Sequence, residues 1–224
     1  NGKGSTVAFL EAMLVAAGRS VGAFTSPHLL RYNERVRING TDATDAQLTT
    51  AFARIERARR DIPLTYFEFG TLAALLIFAE NGLDVALLEV GLGGRLDAVN
   101  AFDADCAIVT SIDLDHMDYL GNTREAIGFE KAGIFRARRP AIVGDAKPPQ
   151  SLLDHARSIA TDLQVLGKDF GYMAEQGQWT WWGRRGRRGG LAYPALRGAI
   201  QLANASTAIA GLEALADRLP VSMQ

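Results

Sequence analysis

The chain has a single cysteine, Cys106, in 224 residues. That excludes an internal disulfide framework and fits a reducing compartment. It also lacks a surplus of either charge: 24 Lys and Arg against 25 Asp and Glu leave a formal net charge of -1. A surface built for nucleic acid or an anionic membrane is therefore not expected. No apolar run approaches the roughly eighteen residues of a membrane span, and no basic-then-apolar leader is visible. There is no internal repeat and no linker long enough to separate two domains. What remains is an ordinary globular composition, 48% hydrophobic and 22% charged, in a chain long enough to bury a substantial core. The expectation is a cytoplasmic domain with neither nucleic acid nor membrane as a partner.

Helical and strand-like segments alternate, which argues for an α/β fold with a mainly parallel central sheet flanked by helices. "STVAFLEAMLVAAG" has helical periodicity and stops at Gly18. "SVGAFTSP" reads as a short strand broken by Pro27, and "DATDAQLTTAFARIERARRD" as a charged amphipathic helix with Asp45 as its N-cap. "FEFGTLAALLIFAENG" is a more apolar helix. "DVALLEVGLGG" and "DCAIVTSIDLDH" are short unbroken apolar runs, suited to central strands covered on both faces. Next come a helix in "TREAIGFEKAGIF", a strand in "RPAIVGD" and a helix over "QSLLDHARSIATDL". From about Phe170 the pattern changes to a small antiparallel β segment rich in glycine and tryptophan, before a closing helix in "IQLANASTAIAGLEALADRL".

Four polar clusters fall where strands end, the region in which open α/β sheets bind ligands. The first is the opening "NGKGST". Glycines let backbone N–H groups approach phosphate oxygens, a helix N-terminus adds positive potential, and Lys3 supplies a point charge. A strict Walker A motif has Ser or Thr directly after the lysine. Here Gly4 intervenes, so the metal-side hydroxyl is Ser5 or Thr6. A surface turn entering a helix is the competing reading. The second cluster, "TSPHLLRYNERVRING", holds Ser26, His28, Asn33 and Glu34, and reads equally well as a solvated connection. The third, "LLEVGLGGRLDAVN", puts Glu89 at a strand end beside glycines; such a carboxylate suits Mg²⁺, or else pairs with Arg95. The fourth, "SIDLDHMDYLGNTREAIGFEKAGIF", places His116 among Asp113, Asp115 and Asp118, with Lys131 further on beside Glu130. His155 reads as a surface residue and Cys106 as core. The basic aromatic stretch "WTWWGRRGRRGG" reads as a hairpin with packed tryptophans and a solvated arginine turn, rather than as a single-strand-binding surface.

Taken together, "NGKGST", "TSPHLLRYNERVRING", "TYFEFGTLAALLIF", "LLEVGLGGRLDAVN", "SIDLDHMDYLG" and "EKAGI" resemble, in order and character, the bifunctional dihydrofolate synthase/folylpolyglutamate synthase family of the Mur ligase superfamily. The resemblance covers nearly the whole chain. In that family the loop reads Gly-Thr-Asn-Gly-Lys-Gly-Ser/Thr, so residues 1–224 correspond to the central ATPase domain, entered two residues into its phosphate loop. The first strand and the C-terminal Rossmann-like domain are implied to lie outside it. The implied reaction is ATP-dependent amide ligation: L-glutamate joins dihydropteroate, and further glutamates join tetrahydrofolate or its polyglutamates, through an acyl phosphate. The resemblance implies that Asn1, Gly2, Lys3, Gly4, Ser5, Thr6 and Asn204 hold ATP. It implies Mg²⁺ at two sites, held by Ser26, Glu89 and His116, and a catalytic set of Lys3, His116 and Lys131, with Lys131 carbamylated. Thr65, Phe67, Asp97 and Ala98 are implied for the pterin, and a monomer for the assembly. The family often has a histidine where Ile200 stands here, which bears on Asn204. Polyglutamylation alone, a cell-wall ligase acting on a UDP-sugar peptide, and a nucleotide-binding protein without ligase activity are the other readings.

Overall fold

The computed structural model describes residues 1–113 and 120–221. Helix α1, Lys3–Ala16, ends in a Schellman turn: Arg19 N–H donates to Leu14 O and Gly18 N–H to Val15 O, with Gly18 in the left-handed region at φ 76°. Strand β1 is Val21–Phe24. The supposed connection that follows is partly regular: a 3₁₀ turn at Tyr32–Arg35 leads into β2, Val36–Ile38, and β3, Thr41–Asp42. Asn39 and Gly40, at φ 51° and 78°, form the two-residue loop between them, the Asn-Gly hairpin turn that matches strand twist.

Helix α2, Asp45–Arg59, is capped by Thr44 and not by Asp45. The Thr44 hydroxyl accepts from Gln47 N–H while the Gln47 side chain accepts from Thr44 N–H. Helix α3, Tyr66–Glu80, opens on the same device, with Thr65 and Glu68. Then come β4, Val85–Leu88; a 3₁₀ turn at Ala98–Ala101; β5, Ala107–Val109; α4, Arg124–Ala132; β6, Pro140–Val143; and α5, Gln150–Ser158. The expected helix over 150–163 stops short, and Asp162–Val165 form strand β7. The stop is a Schellman turn with alanine where glycine is usual: Ala160 has φ 53°, and Thr161 N–H donates to Ala156 O. Ala160→Gly is expected to raise stability by about 0.5–1 kcal/mol in urea unfolding, because it relieves a left-handed non-glycine residue; a loss would show the strain to be absent. The chain finishes with β8, Gly171–Ala174; β9, Trp179–Gly183; β10, Gly186–Leu191; and α6, Gln201–Ala214.

These strands make three sheets. The first has order β3-β2-β1-β4, with β1 parallel to β4 and antiparallel to β2. The second, β5-β6-β7, is wholly parallel. The third, β10-β9-β8, is the antiparallel segment expected near the C-terminus. Helices α2 and α3 cover the first sheet through Leu48, Ile55, Ile77 and Phe78, packed on Phe24 and Val36. Helices α4 and α5 cover the second through Ile127 and Leu152, packed on Val109 and Val143. Helices α1 and α6 pack on each other and on Val21, Val85, Leu87 and Ile108, so helices lie on both faces of the parallel strands. Between β4 and β5 runs a groove of about 540 Å³.

The third sheet seats Trp179 and Trp181 in a cluster with Phe170, Ile142 and Ile209. Trp181 Nε1 donates to Ser206 O. Two of the four adjacent arginines are ion-paired: Arg184 with Asp162 and Arg185 with Asp217, both at 2.6 Å. The packed-hairpin reading of this stretch stands. Among the described residues no helix is long and apolar enough to cross a membrane.

Candidate functional site

The site is built at the start of α1. Gly2 is the N-cap at φ 87°, without a side-chain cap, and the first turn carries no acidic residue. A Cβ at Gly2 would lie 2.5 Å from Asn204 Oδ1, so glycine is required both by the backbone and by the neighbour. Asn204, on α6, is buried and donates to Gln201 Oε1 at 3.1 Å; Gln201 Nε2 in turn donates to Ser5 Oγ at 3.4 Å. The last helix is thus bound to the opening loop. The two hydroxyls separate: Thr6 is buried and donates to Gly2 O at 2.9 Å, leaving Ser5 as the more accessible one. The Asn1 carbonyl accepts from Thr110 Oγ1 at 2.8 Å and Ser111 Oγ at 3.3 Å, just past the end of β5.

Glu89 follows β4 directly and is only 6% exposed. It does not pair with Arg95, which instead meets Glu130 at 2.9 Å. Glu89 Oε2 accepts from Ser26 N–H at 3.1 Å, which brings together the two residues proposed for one metal. Burial pushes the Glu89 carboxyl above the usual carboxylate range; the Ser26 N–H and the charges of Lys3 and Arg37 pull the other way without prevailing. A desolvated carboxylate beside a phosphate-type loop is a donor that a hard divalent cation would satisfy. Among the described residues no group of three or more His, Cys, Asp or Glu side chains converges as a metal cage.

Lys131, on α4, lines the same pocket as Asn1, Lys3 and Asp113. Its backbone is fixed by a close approach: a Cβ at Gly94 would lie 2.7 Å from Glu130 O and 3.2 Å from Lys131 Cα, so the glycine loop after β4 rests on α4. His116, Asp115 and Asp118 lie outside the described residues. The chain just before them is held by Arg124 and Asp145: Ile112 N–H donates to Asp145 Oδ2, Arg124 Nε donates to Ile112 O, and the two side chains pair at 2.7 Å. No sequence signal links these two residues.

Of the residues proposed for the pterin, Phe67 and Asp97 both reach the loop after β4. The Phe67 ring lies so close to Gly91 that a Cβ there would come within 2.9 Å of it, and it packs 5.5 Å from Phe24. Asp97 caps the 3₁₀ turn beginning at Ala98, accepting from Val99 N–H and from Leu92 N–H, both at 3.0 Å. A carboxylate has about four lone-pair positions, so this loop duty leaves capacity for a ligand. Thr65 is exposed, but its hydroxyl already caps α3. His155 is not simply at the surface: it is half-buried against Phe129 in an edge-on contact. Cys106 stands one residue before β5 on the lip of the groove, and burial pushes its thiol up to about 12.

Sequence reasoning passed over Arg37 and gave Glu34 no part to play in the 25–40 segment. Arg37, on β2, ties four parts of the site together: it pairs with Glu11 of α1 at 2.8 Å and donates to Thr25 Oγ1 and Glu34 O at 3.1 Å, while its charge acts on Glu89. The Glu34 carboxylate, besides, collects the N–H groups of Leu29, Leu30 and Arg31 at 2.7 to 2.9 Å. These bonds hold its carboxyl below the usual range. A depressed folded pKa contributes order above the unfolded value and loses it as pH falls through the folded one. Amide exchange at 29–31, corrected for intrinsic rates, is therefore expected to accelerate only well into acid. Unchanged protection there would remove Glu34 as the anchor of this loop.

A glycine loop capping a helix beside a buried carboxylate at a strand end is a nucleotide-site arrangement on an α/β scaffold. The Mur ligase middle domain matches residues 1–158, and the chain belongs to the Mur ligase family. It is 50% identical over 214 residues to the dihydrofolate synthase/folylpolyglutamate synthase of Escherichia coli K12, covering 96% of this chain and 50% of that protein. The structure of E. coli FolC in complex with DHPP and ADP superposes with a TM-score of 0.95 at 49% identity, over 100% of this chain and 52% of that one. The Yersinia pestis bifunctional folylpolyglutamate synthase/dihydrofolate synthase complexed with AMPPNP and Mn superposes at 0.93 with 50% identity, over 100% and 53%. The chain spans about half the length of the curated relatives it matches.

Proposed function

We propose that this chain is the ATP-binding half of a ligase that joins L-glutamate to dihydropteroate and extends reduced folates by further glutamates. The observation that carries the proposal is the meeting of Glu89, Ser26 and Lys3 at the mouth of the glycine loop, with Lys131 lining the adjoining pocket. The relatives support it: one is solved with DHPP and ADP, another with Mn, AMPPNP and L-glutamate.

In this reading the substrate carboxylate attacks the γ-phosphorus of ATP. The bond to the bridging oxygen breaks, giving an acyl phosphate and ADP. The glutamate amine then attacks the acyl carbon, loses a proton, and phosphate leaves with the bonding pair as the amide forms. Phosphoryl transfer needs in-line positioning and charge neutralisation more than covalent help. The amides at Gly2 to Ser5 and the Lys3 ammonium hold the phosphates, and Asn204 borders the nucleotide. Ser26 and Glu89 would hold Mg²⁺, with His116 offered to a second ion; bound there, the metal would supply charge neutralisation on the phosphates. Carbamylation of Lys131 by CO₂ would convert a cation into a carboxylate among these groups, reversing its electrostatic role. Phe67 offers a ring face to the pterin, and Asp97 its remaining lone pairs.

The test is ADP release by the full-length protein with Mg²⁺ and L-glutamate, using dihydropteroate, tetrahydrofolate or a UDP-sugar peptide as acceptor. Turnover with both pterins is expected. Turnover with tetrahydrofolate alone would reduce the function to polyglutamylation, and turnover with the UDP-sugar alone would move it to cell-wall synthesis.

A further inference from the structure

We propose that Arg35 determines acceptor specificity: its guanidinium binds the carboxylate that does not react on the terminal glutamate of a reduced folate. The inference rests on the ligase reading above and deepens it. Dihydropteroate ends in a single carboxylate, the one that is activated. A reduced folate ends in a glutamate with two, one activated and one that keeps its charge. A site serving both acceptors therefore has an extra anion to accommodate when the folate binds.

Arg35 ends the 3₁₀ turn before β2 and is half-buried. Its guanidinium lies over two rings, 5.3 Å from the centre of Tyr66 and 5.7 Å from that of Tyr32. The cage is stiff. Tyr32 packs edge-on against Tyr66 at 5.9 Å and Phe52 at 5.6 Å, and a Cβ at Gly70 of α3 would lie 2.6 Å from its hydroxyl. Rings that take the face of a guanidinium leave its edge donors to other partners. Of those donors, Nε–H goes to His28 Nδ1 at 2.7 Å. Among the described residues no carboxylate pairs with Arg35: its neighbour Glu34 turns both oxygens to the amides of residues 29–31, and Asp45 pairs with Arg31. A half-buried cation without an anion is unfavourable, and its two terminal nitrogens form the fork that takes a carboxylate side-on. Its place is between the two ends of the proposed substrate. His28 follows Ser26 and Pro27, on the metal side; Tyr66 stands between Thr65 and Phe67, on the pterin side, and is 63% exposed. The charges that act on Glu89 are those of Lys3 and Arg37. The metal side thus has its own cations, and Arg35 is left for a different carboxylate.

The test compares Arg35→Met with the wild-type full-length protein, by ADP release with Mg²⁺ and L-glutamate. Methionine keeps an apolar stem for the rings. KM for tetrahydrofolate is expected to rise about 10–100-fold, the effect of losing a charge-assisted hydrogen-bonded pair, with a much smaller change in kcat and in KM for dihydropteroate. Arg35→Lys, which keeps the charge but not the fork, should fall between. The wild type is also assayed with a tetrahydrofolate whose non-reacting carboxylate is an amide. Its KM should rise by a similar factor, and Arg35→Met should add no further loss, because the partner is already gone. Should Arg35→Met not fold, Arg35→Lys with the same substrates gives the comparison. Equal rises for both acceptors would make Arg35 a structural residue. Losses that add with the amide, or no change with tetrahydrofolate, would likewise overturn the proposal, and in each case the ligase reading survives. Silence of the wild type with both pterins would overturn that reading, and this inference with it.

Discussion

Glu89→Gln is expected to leave the melting temperature of the metal-free chain unchanged or higher, while lowering ADP release by the full-length protein by about 10²–10³-fold or more. The two effects have one cause. Glu89 is buried, and burial outweighs every favourable contact it makes, so its folded pKa lies above the unfolded one. A carboxyl with a raised folded pKa contributes stability that is fully present below the unfolded pKa and is lost as pH rises through the folded value. Above its folded pKa the ionised Glu89 is thus a cost to the bare fold. Glutamine keeps the shape and a carbonyl oxygen for Ser26 N–H but removes the charge. It removes with it the donor proposed for Mg²⁺, worth several kcal/mol in a phosphoryl-transfer transition state. Thermal unfolding in EDTA and turnover at saturating Mg²⁺ measure the two halves. A variant that melts much lower but, once folded, turns over normally would make Glu89 a structural residue.

Arg37→Met should have the opposite signature, a large loss of stability. The guanidinium meets Glu11, which is only 7% exposed, at 2.8 Å, and it bonds Thr25 Oγ1 and the Glu34 carbonyl. Removing one member of such a buried pair leaves the other charge without compensation, at about 3–5 kcal/mol. Methionine retains the apolar stem, so packing loss is minor. Urea unfolding of Arg37→Met, Glu11→Gln and the double variant separates the contributions. The double variant is expected to recover much of the loss, because it leaves no orphaned charge. A single-variant cost below about 1 kcal/mol would place the pair with solvent-screened surface bridges.

Much of this architecture is legible from residue patterns. The Schellman end of α1 is written in Gly18, and the apolar runs announce strands β4 and β5, although both lie at sheet edges and β4 is only partly buried instead of being covered on both faces. The opening loop, Glu89 and Lys131 are readable because their chemistry is local to strand and helix ends. Features made by distant partners are not. Arg37 with Glu11, and Arg124 with Asp145, are joined only by the fold. The end of α5 escapes because alanine occupies the left-handed position, removing the glycine that marks such a stop. The Asn39–Gly40 turn, by contrast, carried a clear hairpin signal that the polar texture of its surroundings obscured.

The packing of α1 against α6 joins residues 3–16 to residues 201–214 through Leu10, Leu14, Ala208 and Leu212, and through Gln201 to Ser5. Contacts this remote in sequence form late, since the intervening loop must close first. During synthesis the first helix leaves the ribosome nearly two hundred residues before its partner. Helix α1 therefore waits, without the partner its apolar face packs on, until α6 emerges. The α1–α6 contact is made only at the end of this stretch of translation, and the interval before it is the period in which α1 is most open to chaperones or to misassembly.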